Sequence, residues 1–115
     1  MKNKAPIPTE HAEQVTFLAE FKRLYPKIRI FAIPNGGLRN LIVAQKLKAE
    51  GVQKGVPDLF IPKWNLWVEM KRTKGGYLSK DQKDWIYYLK SECGHGAIVA
   101  KGWEDGINQI ISFLD

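Results

Sequence analysis

A chain of 115 residues is long enough for one sheet and several helices around one core, and too short for two independently folded domains. With 44% hydrophobic and 26% charged residues it is an ordinary globular sequence, which excludes disorder as the default. Its net charge of +6, with the excess before Asp58, favours a polyanionic partner, although small proteins are often modestly basic. The lone Cys93 excludes an internal disulfide and a cysteine-based zinc site, and fits a reducing compartment. Met1–Pro8 is polar, without a signal-like apolar region, and no apolar run can cross a bilayer. The expectation is one domain over 1–115 with a flexible 1–8 segment, cytoplasmic and with no membrane partner.

The first helix is expected from about Thr9, a residue suited to capping, to about Leu24, with Val15, Leu18, Phe21 and Leu24 as its apolar stripe. Pro26 stops it. Lys27–Ile33 alternates like a strand but is apolar on both sides, which predicts a strand covered on both faces. Pro34-Asn35-Gly36-Gly37 breaks regular structure, and a second helix over about Asn40–Glu50 should bury Leu41, Ala44 and Leu47 before Gly51 ends it. Residues 51–57 form a loop. Leu59–Ile61 and Leu66–Met70 predict two strands of a hairpin joined through Pro62-Lys63-Trp64-Asn65. Ser79 and Gln82 have capping-box spacing for a helix reaching about Glu92. A buried strand over Ala97–Ala100 and a helix over about Trp103–Leu114 follow, the latter turning Ile107, Ile110, Ile111 and Leu114 inward, with Gly106 as a local weakness. This order favours a compact α/β or α+β sheet.

The chemistry is concentrated in Gly55-Val56-Pro57-Asp58 and Leu66-Trp67-Val68-Glu69-Met70-Lys71. On an extended strand Glu69 and Lys71 leave one face while Val68 and Met70 leave the other. A short hairpin would bring Asp58 beside Glu69, giving two hard oxygen ligands of the kind Mg2+ prefers, with the Met70 carbonyl as a further donor. Lys71 would orient the attacking water, offset phosphate charge, or accept a proton if its pKa is lowered enough. The competing interpretation is a solvent-facing Glu69–Lys71 pair of small energetic value. Arg72 and Lys74, followed by Gly75-Gly76, are placed to contact a phosphate backbone; Lys80 and Lys83 extend the basic surface, which Asp81 and Asp84 interrupt. Tyr77, Trp85, Tyr87 and Tyr88 suit either base stacking or core packing, with packing the commoner role. His11 and His95 lack a three-ligand zinc pattern, and there is neither a Walker loop nor a deaminase signature.

The chain resembles the PD-(D/E)XK nuclease superfamily, and within it the standalone VRR-NUC family of bacteria and bacterial viruses. The resemblance runs from about Thr9 to Leu114, through Glu10-His11-Ala12-Glu13-Gln14, Ala32-Ile33-Pro34-Asn35-Gly36-Gly37, Lys48-Ala49-Glu50-Gly51-Val52, Gly55 to Phe60, Glu69-Met70-Lys71 and Ser79 to Lys83. It implies a restriction-endonuclease-like α/β core with a central mixed sheet flanked by helices. It implies metal binding by Asp58 and Glu69 and catalytic support from Lys71. An acidic residue of the first helix should approach the metal: Glu10 is favoured, with Gln14 one turn on in support, and Glu13 is the rival. Gln82 should approach from its helix as well as cap it. Asn35, Gly36, Gly37 and Arg39 should form a loop near nucleic acid, although an ordinary turn reads the same way.

The resemblance thus implies a Mg2+-dependent DNA endonuclease, active with Mn2+ too, cutting branched or four-way-junction DNA as a homodimer and leaving 5′-phosphate and 3′-hydroxyl ends. The alternatives are a flap or nicking nuclease, a noncatalytic DNA-binding subunit, or a protein-interaction module.

Overall fold

The computed structural model describes residues 6–34 and 41–115. In chain order they form α1 (Glu10–Leu24), β1 (Phe31–Ala32), α2 (Leu41–Ala49), β2 (Leu59–Ile61), a 3-10 turn (Pro62–Trp64), β3 (Leu66–Lys71), α3 (Lys80–Ser91), β4 (Gly96–Lys101) and α4 (Trp103–Leu114). Among the described residues the strands make one mixed sheet ordered β1-β2-β3-β4. Pro62 opens the turn that leaves β2, and Asn65, in the left-handed region at φ 47°, redirects the chain into β3. The resulting antiparallel register pairs Leu59 with Val68, Phe60 with Trp67 and Ile61 with Leu66. β4 runs parallel to β3, a geometry that needs a long crossover, and α3 supplies it.

Strand alternation then sorts the side chains by face. Leu59, Ile61, Leu66, Val68, Met70 and Ala100 form a core with Phe17 and Phe21 of α1 and Ile107 and Ile110 of α4. The opposite face carries Phe60, Trp67, Glu69 and Lys71, with α3 reaching across to it. This is the restriction-endonuclease-like α/β arrangement that the resemblance implies.

Several expectations need correction. The stripe of α1 is Glu13, Phe17 and Phe21, while Val15 and Leu24 are exposed. The two phenyl rings, 6.0 Å apart, pull that face inward because they bury more apolar area than valine can. The strand expected over residues 27–33 shrinks to Phe31–Ala32, both exposed, at the sheet edge. Its neighbour β2 offers three residues for pairing, and Ile28 and Ile30 pack on the core from outside the sheet. Helix α2 is where it was expected but buries nothing: Leu41 is 71% and Ile42 76% exposed, and Leu47 is only half-buried. Its end is well made, since Gly51 at φ 102° lets Val52 N–H donate to the Leu47 carbonyl at 3.0 Å. Only Ala100 is buried in β4, and Ile111 and Leu114 stay exposed on α4. Gly106 is a packing requirement there: a Cβ would come within 2.8 Å of Phe17 Cε1 and 3.0 Å of Ala100 Cβ.

Candidate active site

Extending the β2–β3 register by one residue sets Asp58 opposite Glu69. The Asp58 carboxylate is fixed by the Met70 amide, which donates to Oδ2 at 2.7 Å, and its carbonyl accepts from Ile33 N–H at 2.8 Å. The hairpin therefore delivers the acidic pair that its spacing suggested, with Asp58 bridging three strands. Ahead of it, Gly55 has φ 88°, and a Cβ there would lie 2.5 Å from the Asp81 carbonyl carbon. Only glycine allows that loop to lie against the start of α3.

Glu69 and Lys71 are 2% and 6% exposed, so the solvent-facing ion pair of small value is ruled out. Lys71 Nζ lies 3.7 Å from Glu69 Oε2 and 4.0 Å from Glu10 Oε2. Gln82 completes a capping box with Ser79 through bonds of 2.8 and 3.1 Å, and its Nε2 donates to Glu69 Oε2 at 3.2 Å. One side chain both starts α3 and touches the centre. Glu69 Oε1 is buried with no hydrogen-bond partner. Burial first, and then the neighbouring Asp58 carboxylate, push the Glu69 carboxyl up to about 8 against the opposing pull of Lys71.

The donor chemistry of this centre would suit a divalent cation. An orphaned buried carboxylate oxygen is costly, and hard oxygens beside it match Mg2+, which binds through one or two carboxylates while keeping waters. Among the described residues no three His, Cys, Asp or Glu side chains are grouped so as to hold one ion, and Asp58 and Glu69 are the two carboxylates that would do so.

Glu13 is a different case from Glu10. It is buried and accepts from Trp103 N–H at 2.9 Å, capping α4 whose own N-cap residue, Gly102, has no side chain. Gln14 is half-buried, and Lys74 and Lys80 are exposed. Arg72, expected on phosphate, donates to the carbonyls of Pro8 and Ile7 at 3.2 and 3.1 Å, tying down the end of the segment expected to be flexible. Asn35, Gly36, Gly37 and Arg39 lie outside the described residues. His95 Nδ1 accepts from Trp67 Nε1 at 3.0 Å, which gives that histidine a structural role.

Comparison with family models and with curated proteins gave no match. A solved structure described as a VRR_NUC domain protein matches 91% of this chain and 87% of its own, with a TM-score of 0.71 and 30% sequence identity. The chain belongs to the VRR-NUC family. This VRR-NUC fold places the end of β3 between α1, α3 and β4, so residues distant in sequence meet there. Sequence inspection missed Lys101, the register partner of Lys71 on β4, and the capping role of Glu13. Lys101 becomes visible only once β4 is known to be parallel to β3.

Proposed function

We propose that this VRR-NUC protein is a metal-dependent DNA endonuclease that hydrolyses phosphodiester bonds in branched or four-way-junction DNA. The observation that carries the reading is the centre that sets buried Glu69 and Lys71 beside half-buried Asp58, with Glu69 Oε1 unpartnered. Asp58 and Glu69, with the Met70 carbonyl, would hold Mg2+ or Mn2+, which supplies Lewis-acid polarisation of the phosphate and a more acidic water.

The chain's own residues do the rest. Lys71 presents its ammonium to a nonbridging phosphate oxygen and aligns the attacking water, offsetting charge as it builds up on phosphorus. Glu10 faces that ammonium and keeps it aimed. Gln82 holds Glu69 Oε2, fixing the carboxylate plane from α3. In-line attack then breaks the bond from phosphorus to the 3′ oxygen, leaving a 5′-phosphate and a 3′-hydroxyl. Lys74 and Lys80, with the segment of Asn35, Gly36, Gly37 and Arg39, and Gln14 at the α1 side, are the proposed contacts to the DNA backbone. Two copies acting as a homodimer would address paired strands of a junction.

Linear duplex, single strands, flaps and four-way junctions should be compared with Mg2+, Mn2+ and a chelator. Lys71→Ala and Glu69→Ala, verified as folded by circular dichroism, are expected to lower cleavage by on the order of a hundredfold or more. Cutting by both at the unsubstituted rate would refute the assignment. Salt-sensitive binding without cleavage of any form would point to a noncatalytic DNA-binding subunit instead.

A further inference from the structure

We propose that Tyr77 and Lys101 form a stacking platform for an unpaired nucleobase at the mouth of the site. This rests on the nuclease reading above and adds the kind of strand the site accepts. Tyr77 is 81% exposed, more than any other large apolar or aromatic side chain among the described residues. Core packing, the ordinary role of a tyrosine in a small protein, does not account for it.

Its position ties it to the centre from two sides. The preceding residue, Gly76, lies against the end of β3: a Cβ there would come within 3.1 Å of Lys71 Cβ and 3.0 Å of Arg72 N. Lys101 Nζ sits 5.9 Å from the Tyr77 ring centroid. Lys101 pairs in register with Lys71, so both leave the same face of the sheet. Its own amide is anchored by Asp105 Oδ2 at 2.8 Å. The phenol thus has an ammonium at one side and a broad surface open to solvent, one residue beyond the glycine that lies against Lys71.

An aromatic face beside a lysine is the combination by which proteins hold single strands, the ring taking a base and the cation the adjacent phosphate. Bases inside a continuous duplex have their faces covered by neighbours in the stack. A base freed at a branch point or a flap does not. The other exposed tyrosines are placed elsewhere: Tyr88 meets Trp85 edge-on at 5.7 Å, and Tyr87 lines a separate cavity with Leu78, Ile86 and Lys90.

The test uses the full chain and two fluorescently labelled DNAs, one fully paired and one carrying an unpaired tail. Binding is followed by anisotropy in chelator and cleavage in Mg2+. Tyr77→Ala is expected to weaken binding of the tailed DNA by about fivefold or more, and to weaken it more than binding of the paired DNA. Tyr77→Trp should retain the preference, and Lys101→Ala should reduce it. With abasic units in the tail, the unsubstituted protein and Tyr77→Ala should bind alike. Equal losses on both DNAs, no loss on the tailed DNA, or a difference that survives in the abasic tail would each overturn the platform. If the unsubstituted protein neither binds nor cuts either DNA, the nuclease reading falls and takes the platform with it. Cleavage by that protein with a silent Tyr77→Ala removes the platform alone.

Discussion

Inside the folded chain Glu69 keeps its proton to an unusually high pH, because burial and the Asp58 carboxylate hold its carboxyl at about 8 against an ordinary value of 4.5. Below the ordinary value both folded and unfolded chains carry that proton, and the site imposes no charge penalty. As pH rises the unfolded chain releases the proton first, so stability present below the unfolded pKa is lost on the way up through the folded one. The thermal midpoint of cation-free protein is therefore expected to fall between about pH 5 and pH 8, and Glu69→Gln should flatten that fall. Mg2+ should recover stability near pH 8 by binding the ionised form, as any ligand of the native state does. Parallel pH slopes for the two proteins in thermal melts would contradict this account of Glu69. At this scale Asp58, Glu69 and Lys71 were legible because a two-residue period and a short hairpin decide which face they share. Glu13 was not, since its partner is a backbone amide 90 residues away that no side-chain pattern records.

Among the secondary elements, Gly106 shows local propensity and packing pulling in opposite directions. In an exposed helix interior, alanine in place of glycine would stabilise by about 1 kcal/mol. Here the new methyl meets the Phe17 ring at 2.8 Å and Ala100 at 3.0 Å, where α1, α4 and β4 converge. Overpacking of that kind costs about 1–3 kcal/mol, so Gly106→Ala is expected to be neutral to destabilising, by up to about 2 kcal/mol in urea unfolding. A clear gain in stability would mean that the phenyl ring has room to yield. The elements themselves were largely readable: Thr9 and Ser79 cap α1 and α3, and Gly51 ends α2, each through a hydrogen bond local to the chain. Burial was less so. β1 and α2 carry apolar sequences that predict two covered faces and an inward stripe, yet the sheet stops at β1 and no described element covers Leu41 or Ile42. Hydrophobic periodicity gives the direction of a face; what stands opposite it is settled by tertiary arrangement.

For the whole molecule, a net charge of +6 gives the proposed DNA complex a strong dependence on ionic strength. The logarithm of the binding constant should fall linearly with the logarithm of salt concentration, and Lys74→Ala and Lys80→Ala should each reduce the slope by roughly one. Titrations at several salt concentrations check this, and unchanged slopes would take both residues out of the backbone contacts. Arg72 belongs to a different class despite its charge, because its guanidinium is engaged with the carbonyls of Ile7 and Pro8. The fold class was legible at this scale through the order of elements and the family resemblance. The β3–β4 pairing, which joins Lys101 to the site, depends on a crossover whose docking leaves no local signature.

Glu10 and Glu13 lie on neighbouring positions of one helix face, the first turned to Lys71 and the second to the amino end of α4. Each inserted or deleted residue within α1 would rotate everything beyond it by about 100°, so a single change in register separates the side chain turned to Lys71 from the brace. Descendants of this sequence can exchange individual side chains along α1 freely on its outer surface, but its length between those two carboxylates is locked by both partners at once.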